Sequence, residues 1–212
     1  MSRWLAKQAM QERILETAGR LFYGQGIRAV GVDTIAAEIG ISKRTLYNYF
    51  PSKDELVVAY LSRHCIPPKT SDRPLLAQIL YMFDWLERWF ASDTFRGCRF
   101  VNAIAELSDA THPGTKIAVA FKEQRRLWLR DALTRLNAAD PDALATQIAI
   151  LAEGAIIAAL VRGDPGMAAA AKAAARVLLT AAGIHDSDAA PLPTGHAAPR
   201  RRPRRVTRRA RT

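Results

Sequence analysis

Apolar residues recur every three or four positions along most of this chain, and the alternating pattern of a strand is almost absent. That spacing predicts amphipathic helices, separated by turns that contain glycine or proline. The segments with helical spacing are residues 14–22, 32–38, 43–50, 53–62, 74–90, 97–107, 141–161 and 165–183, and a further helix is predicted to carry Phe121 and Trp128. The helices at 141 and 165 each begin with a proline that follows a capping aspartate, Asp140 or Asp164. The pattern therefore predicts an all-α protein.

Two of the short helices are predicted to meet at a tight turn. Ser42 is placed to cap the second of them by accepting a hydrogen bond from a backbone N–H of its first turn. Gly40 tolerates the positive φ that such a turn requires, and the small Ala36 lets the helices approach. Four apolar residues would lock the pair: Ile35, Ile39, Ile41 and Leu46. The spacing predicts a helix-turn-helix, although a corner of a helical bundle fits the apolar residues equally well.

The outer face of the second short helix favours the helix-turn-helix. At about 100° per residue, Leu46 and Phe50 face inward, whereas the opposite face carries Arg44, Thr45 and Asn48. Asparagine can bond adenine through two hydrogen bonds, arginine can do the same with guanine, and a threonine methyl group can contact the thymine methyl group. This face therefore predicts a surface that reads bases in the major groove of DNA.

Other side chains of the same segment suit the DNA backbone. Tyrosine hydroxyls and lysine ammonium groups can bind phosphate oxygens, which fix the register of a protein on DNA without reading its sequence. The predicted DNA-binding residues are Lys43, Arg44, Thr45, Tyr47, Asn48, Tyr49 and Lys53.

Residues 10–56 resemble the DNA-binding domain of the TetR/AcrR family of transcriptional regulators. The runs ILETAGRLFYGQG and VDTIAAEIGISKRTLYNYFPSKDEL carry the resemblance, which covers about a quarter of the chain. It implies that the third helix enters the major groove and that the protein represses transcription by occupying an operator. Arg44 stands where the family commonly has glycine, so it is expected to add a contact. Gly31 stands where the family often has serine or threonine, so a hydroxyl cap or phosphate contact is missing there.

The remaining helices predict a second domain, which the helix at 53–62 joins to the first. The segment 74–90 has an aliphatic stripe and an adjoining aromatic ridge that includes Trp85 and Trp89. Core packing would explain any single aromatic residue, but the collection also suits a cavity for an organic ligand. The run GCRFVNAIAEL at 97–107 resembles a motif in the ligand-binding domains of one branch of the family.

An apolar or aromatic small molecule is therefore the predicted effector. The candidate effector-binding residues are Trp85, Trp89, Cys98, Phe100, Asn102, Glu106, Phe121 and Trp128. Helical spacing places Cys98, Asn102 and Glu106 near one face of a helix. Asn102 and Glu106 either orient a ligand inside the cavity or are simply satisfied near a surface, and both interpretations stay open.

The last two long helices are predicted to form a dimer interface. The segment 141–161 is apolar on more than one side, and the next helix is rich in alanine, which allows close approach. One domain offers too little surface to bury both, so a partner subunit would supply the rest. The resemblance implies a four-helix interface between two copies. The apolar stretch 148–161 is too short to span a bilayer unaided and contains Glu153, so no membrane partner is expected.

The charge of the chain is concentrated at its C-terminus. The formal net charge is +11, but the run 200–211 holds eight arginines, so residues 1–199 carry only +3. Prolines interrupt any periodicity beyond residue 183, which predicts a disordered tail. The tail could strengthen DNA binding by releasing counterions, or it could be a solubilising or accidental extension.

Signals for catalysis are absent from the sequence. It has no glycine-rich phosphate loop and no nucleophile elbow, and its four histidines lie far apart: His64, His112, His185 and His196. Neither an enzyme, a metal site nor a cofactor is expected. The first residues lack the apolar run of a secretory signal, and the two cysteines form no CxxC pair, so a reduced, cytoplasmic protein is predicted.

The sequence thus predicts three parts. Residues 1–52 form a three-helix DNA-binding domain, residues 53–183 a helical effector-binding and dimerisation domain, and residues 184–212 the tail. A double-stranded operator and a second copy of the chain are the predicted partners. Two alternatives to a ligand-responsive regulator stay open: an architectural DNA-binding protein without an effector, and a redox sensor triggered at Cys65 or Cys98.

Overall fold

The computed structural model of the chain describes residues 3–66 and 72–185. Within those residues the chain forms nine helices and no strand. They are α1 (Arg3–Gln25), α2 (Val32–Ile39), α3 (Lys43–Tyr47), α4 (Lys53–Arg63), α5 (Leu75–Phe90), α6 (Arg99–Leu107), α7 (Pro113–Arg135), α8 (Pro141–Arg162) and α9 (Met167–Ala181). The all-α prediction is confirmed.

The first three helices form the predicted helix-turn-helix with its supporting helix. Gly40 ends α2 with φ of 77°, and the N–H of Ile41 donates to the carbonyl oxygen of Ala36 at 3.0 Å. The hydroxyl oxygen of Ser42 accepts a hydrogen bond of 3.0 Å from the Thr45 N–H, which caps α3 as predicted. The side chains at its centre are fully buried: Ile14, Ala18, Ile35 and Leu46. The turn at Gly40, the cap at Ser42 and the buried apolar side chains therefore all hold α2 and α3 in the helix-turn-helix arrangement.

Helix α4 packs against both the first three helices and the helices that follow it. Its N-terminus is capped by the Ser52 hydroxyl, which accepts from the Glu55 N–H at 3.0 Å. The helix packs against α1 on one side and against α7 on the other. Its fully buried Tyr60 meets the ring of Phe22 edge-on, with the ring centroids 5.7 Å apart. Because α4 directly precedes α5 in the second bundle and follows α3 closely, it joins the two parts of the chain.

Helices α5 to α9 form the second bundle. Helix α7 packs on α8 and α6, and α9 packs on α8 and α5. The predicted aliphatic stripe of α5 is its buried face: Leu76, Ile79, Leu80, Phe83 and Leu86. Asp140 caps α8 by accepting from the Ala143 N–H at 3.0 Å, and Gly163 ends this helix with φ of 64°. The start of α9 differs from the prediction, because Asp164 caps a turn at Gly166 and the helix begins only at Met167.

Helix α8 is half-exposed within one copy of the chain, so burial on more than one side, as predicted, would need a partner subunit. One face packs on α7 and α9, whereas Ile150 is 64% exposed and Val161 is 79% exposed. Helix α8 has 22 residues and is therefore longer than the apolar stretch 148–161 that it contains. By length and composition alone it could cross a membrane, but 39% of its apolar window is buried inside this fold.

The end of the second bundle lies one residue later than predicted. Ile184 is only 2% exposed, and its N–H donates to the carbonyl oxygen of Leu179 at 3.0 Å after Gly183 turns the chain. An apolar side chain at this position closes the end of α9, so Ile184 belongs to the bundle rather than to the tail. The remainder of the predicted tail, residues 186–212 with its arginine run and His196, lies outside the described residues.

Candidate nucleic-acid interface and its links to the second bundle

The outer face of α3 and the turn after it carry the predicted DNA-binding side chains. Four of them are exposed: Lys43, Arg44, Tyr47 and Asn48. Thr45, Tyr49 and Lys53 are half-buried, while Leu46 and Phe50 are buried beneath them. The structure therefore leaves four of the seven predicted residues at the surface and the other three partly accessible.

Two of these side chains already have partners within the protein. The Lys43 ammonium donates to the Asp33 carboxylate at 2.9 Å, which raises the pKa of Lys43. The hydroxyl oxygen atoms of Thr45 and Ser42 lie 2.8 Å apart, so the Thr45 hydroxyl takes part in the cap of α3. The Thr45 methyl group remains for other contacts. Within the described part of the chain, the side chains of Arg44 and Asn48 make no hydrogen bond. These two are thus available for base edges.

A phenol links α1 to the loop before α6. The Tyr23 hydroxyl donates to the carbonyl oxygen of Gly97 at 2.8 Å and accepts from the Arg96 N–H at 2.9 Å. Burial raises the pKa of Tyr23, so the phenol keeps its proton and can act as the donor. Gly97 has φ of 80°, a conformation that glycine adopts without strain. The guanidinium of Arg99 lies 4.7 Å from the centroid of the Tyr23 ring and adds to this contact.

A carboxylate of α6 makes a second link, to the turn between α1 and α2. Glu106 accepts a hydrogen bond of 2.9 Å from the Arg28 N–H. A Cβ atom at Gly26, where φ is 99°, would lie 3.0 Å from the same carboxylate, so the approach is close. Helix α6 therefore touches the DNA-binding part at two separate points. Neither contact could be found by spacing, because the partners are more than seventy residues apart in the chain.

The aromatic candidate effector-binding residues belong to separate ring contacts in the second bundle. Trp85 stacks on Trp89 with the ring centroids 5.3 Å apart, and Trp89 meets Phe95 edge-on. Phe100 stacks on Phe121 elsewhere in the bundle, at 4.1 Å between centroids. Cys98 is buried and Trp128 half-buried. The aromatic residues of α5 lie beside its aliphatic stripe, which faces the core, so Trp85 remains 46% exposed.

Asn102 and Glu106 were predicted either to orient a ligand in a cavity or to be satisfied near a surface, and their hydrogen bonds favour the second interpretation. The Asn102 amide donates to the carbonyl oxygen of Arg96 at 3.0 Å and so holds the loop before α6. Glu106 is bound to the Arg28 N–H. Both side chains are thus satisfied by backbone groups, and neither lines either of the two grooves described for the second bundle.

Two open grooves occur in the second bundle. One of about 480 Å³ lies between the end of α4 and α7, and its lining residues are Ser62, Cys65, Ile117, Ala120, Phe121 and Gln124. The other, of about 380 Å³, lies between α5 and α9 and includes the ion-paired Asp84 and Lys172. Of the eight candidate effector-binding residues, Phe121 lines the first groove and none lines the second.

Titratable side chains give little support to redox or metal chemistry. Cys65 is half-buried, and burial raises the pKa of its thiol, which lowers the fraction of reactive thiolate. Cys98 is buried. No three histidine, cysteine or acidic side chains are grouped for a metal ion in the part of the chain that the structure describes.

Comparison with known proteins agrees with this geometry. The family profile described as "Bacterial regulatory proteins, tetR family" matches residues 14–60. An uncharacterised HTH-type transcriptional regulator of Mycobacterium tuberculosis is 30% identical over 144 residues, which are 66% of this chain and 69% of that protein. The HTH-type transcriptional regulator EthR of Mycolicibacterium smegmatis is 28% identical over 177 residues, covering 73% of this chain and 76% of EthR.

A solved structure extends the likeness to both parts of the fold. A protein of Streptomyces avermitilis assigned to the TetR transcriptional regulators is 33% identical in its crystal structure, with a TM-score of 0.74. The match covers 82% of this chain and 98% of that one. Since it spans the helix-turn-helix and the second bundle alike, the chain belongs to the TetR family of DNA-binding transcriptional regulators.

Proposed function

We propose that the protein is a cytoplasmic homodimeric repressor that binds a near-palindromic operator and leaves it when a small-molecule effector binds. The observation that carries this proposal is an exposed face on α3 that is linked to the second bundle through both α4 and α6. Residues 1–52 would bind DNA, and residues 53–183 would bind the effector and form the dimer. An operator that overlaps a promoter is blocked by occupancy, which accounts for repression.

In this proposal the seven DNA-binding residues have two kinds of role. Arg44 and Asn48, whose side chains are exposed, would bond base edges, and the methyl group of Thr45 would contact a thymine methyl group. Lys43, Tyr47, Tyr49 and Lys53 would bind phosphate oxygens. Lys43 must exchange its Asp33 partner for a phosphate group, so its net contribution is smaller than that of a free lysine.

The proposed dimer covers the outer faces of α8 and α9 with the same faces of a second copy. Large apolar side chains are exposed on both helices: Ile150, Ile157, Leu160, Val161 and Val177. A Cβ at Gly154 would meet nothing within 4 Å, so this exposed position allows close approach of a partner helix. A twofold axis would bring each face onto its copy and bury the apolar surface that a single chain leaves in water.

The switch would act on the spacing of the two DNA-binding parts. An effector releases DNA only if it binds more tightly to the arrangement in which the two α3 helices are wrongly spaced for the operator. Helix α4 and the contacts made by Tyr23 and Glu106 connect the second bundle to the first three helices. A movement caused by the effector in the second bundle would reach α3 through these connections. By linkage, operator DNA must weaken effector binding by the same factor.

Removing the Tyr23 hydroxyl is expected to loosen the link between the two parts. In Tyr23→Phe, the Gly97 carbonyl and the Arg96 N–H both lose their partner, which should cost about 1–2 kcal/mol in the free energy of unfolding. Urea unfolding of both proteins measures the loss. Tyr81→Phe is the matched control, because Tyr81 lies on the exposed side of α5 and should change by less than about 0.5 kcal/mol. Equal stability of Tyr23→Phe and the wild type would contradict the link.

The proposed function is tested by selecting binding sites from random DNA with the purified full chain. A near-palindrome whose half-site centres are about 34–36 Å apart or a related helical spacing is expected. Footprinting on the genomic match should cover a promoter, and transcription from it in vitro should fall as the protein is added. Binding without sequence preference would favour the architectural alternative, and increased transcription would reverse the proposed sign of regulation.

A further inference from the structure

The arginine run 200–211 is the most strongly charged segment of the chain. It holds eight arginines in twelve residues, and no acidic residue occurs after Asp188. By contrast, residues 1–63, which include the first four helices, contain nine basic and six acidic residues, a net charge of +3. The run therefore carries more than twice the net positive charge of the part that holds the predicted DNA-binding residues. A block of like charges is typical of basic arms that bind nucleic acid.

Internal contacts further reduce the positive charge that the first four helices offer to DNA. Within residues 3–63, three basic side chains are held in ion pairs: Arg20 with Glu38, Lys43 with Asp33 and Arg63 with Glu12. The pair at Lys43 lies on the proposed DNA-binding face itself. Phosphate contacts made by cations supply a large share of the affinity of a protein for DNA. The helix-turn-helix alone is therefore a weak source of this electrostatic affinity.

Most acidic side chains of the second bundle already have partners inside the protein. Five are in ion pairs: Asp84, Glu123, Asp131, Asp142 and Glu153. Four others accept hydrogen bonds from backbone N–H groups: Glu106, Asp109, Asp140 and Asp164. A polyanion outside the chain is therefore a better partner for eight arginines than the surface of this bundle.

The arginine run is far enough along the chain to reach DNA bound at α3. A Cβ atom at Gly97 would lie 3.0 Å from the Leu160 side chain, so the end of α8 lies beside the loop that Tyr23 binds. Helix α9 follows this end, and its 15 residues span about 22 Å. Residues 186–212 extend to at most about 90 Å. A part of about sixty residues has a radius of gyration of only about 10 Å, so this length spans α9 and the DNA-binding part together.

We infer that the arginine run 200–211 is a second DNA-binding element, which pairs with phosphate groups beside the site that α3 occupies. This inference rests on the DNA-binding role within the proposed function and adds a second contact to it. A guanidinium binds phosphate oxygens through two parallel hydrogen bonds, and each such contact releases a condensed counterion. Because phosphates are alike in every sequence, the run adds similar affinity to operator and to random DNA. It thus holds the protein near DNA while α3 reads the bases.

Removing the charge of the run tests this assignment on the full-length protein. All eight arginines are replaced by glutamine (Arg200→Gln and the seven equivalent substitutions), and binding to random duplex DNA is followed by fluorescence anisotropy. If half of the arginines of one run contact phosphates, the slope of log affinity against log salt becomes less steep by at least about three. Affinity at about 0.1 M salt should fall at least about tenfold. Unchanged slope and affinity would overturn the inference.

Two controls separate the charge of the run from its other properties. The eightfold Arg→Lys variant keeps the charge and should keep most of the salt slope, whereas a loss equal to that of the glutamine variant would overturn phosphate pairing by charge. The second control compares two equal losses of charge. Arg208→Gln with Arg209→Gln should weaken binding to random DNA, whereas Lys116→Gln with Arg135→Gln, at exposed positions of α7, should not. Equal effects of the two pairs would assign the effect to net charge and overturn the inference.

The kind of nucleic acid is tested in the same assay. Duplex RNA of equal length should bind the wild type no more tightly than DNA. RNA binding at least about tenfold tighter than DNA binding, and lost in the glutamine variant, would make RNA the partner of the run and overturn the inference.

Selection of binding sites from random DNA distinguishes this inference from the proposed function. The glutamine variant should select the same sequence as the wild type, with operator and random affinities lowered by similar factors. If neither protein selects a sequence but their salt slopes differ as expected, the arginine run binds DNA and the proposed operator is wrong. If both select one operator with the same salt slope, the proposed operator stands and the inference is overturned.

Discussion

A charge on the outer face of α8 or α9 is expected to convert the proposed dimer into monomers. In Ile157→Arg and Val177→Glu the new charge would be buried at the contact without a partner, and a twofold axis places it there twice. Each unpaired charge costs about 3–5 kcal/mol, so the dissociation constant should rise at least about a thousandfold. Sedimentation velocity at micromolar concentration measures the assembly, and operator affinity should fall with it.

The control for this pair is Val119→Glu, which places the negative charge of Val177→Glu on an exposed apolar residue of α7 instead. It should leave both the assembly and operator binding intact. Ala155 cannot serve as a test although it lies on α8, because it is buried within a single copy and a charge there would damage the fold. An intact dimer in both Ile157→Arg and Val177→Glu would move the interface away from α8 and α9.

Substitutions on the outer face of α3 are expected to separate base reading from phosphate binding. Arg44→Ala and Asn48→Ala should each weaken binding to the selected operator by about 1–3 kcal/mol and relax the preference at particular base pairs. Both side chains are exposed, so neither change should disturb folding. Fluorescence anisotropy with the operator and with random DNA of equal length measures the two affinities.

Lys53→Ala is the contrasting variant, because a phosphate contact is independent of sequence. It should weaken operator and random DNA by similar factors and reduce the slope of log affinity against log salt by about one. If Arg44→Ala, Asn48→Ala and Lys53→Ala all lose the same affinity on both DNAs, the assigned roles are wrong.

The sequence was informative wherever structure depends on neighbouring residues. Gly40 and Ser42 specify a turn and a cap by their own chemistry, and the apolar stripe at Ile35 and Leu46 fixes which face of the short helices is buried. Since α3 is so short, the outward direction of Arg44 and Asn48 follows from helical geometry. The helix-turn-helix and the position of its outer face could therefore be predicted before any tertiary contact was known.

The second bundle was less predictable because its site depends on distant contacts. Aromatic content shows that large flat side chains are present, but not that α5 turns its aliphatic stripe inward and leaves Trp85 at the surface. The Tyr23 and Glu106 contacts join residues far apart in the chain, and a single sequence carries no signal for them.

The position of Tyr60 has a consequence for how the molecule unfolds. Its ring packs against Phe22 of α1, while its helix also packs against α7. A fragment cut at residue 52 would lose Tyr60 and its neighbours on α4, and the apolar face of α1 would be exposed to water. The proposed boundary between DNA binding and effector binding at residue 52 therefore separates side chains that pack against each other. The two parts are therefore expected to unfold together, so that a destabilising change deep in the second bundle also lowers the stability of the helix-turn-helix.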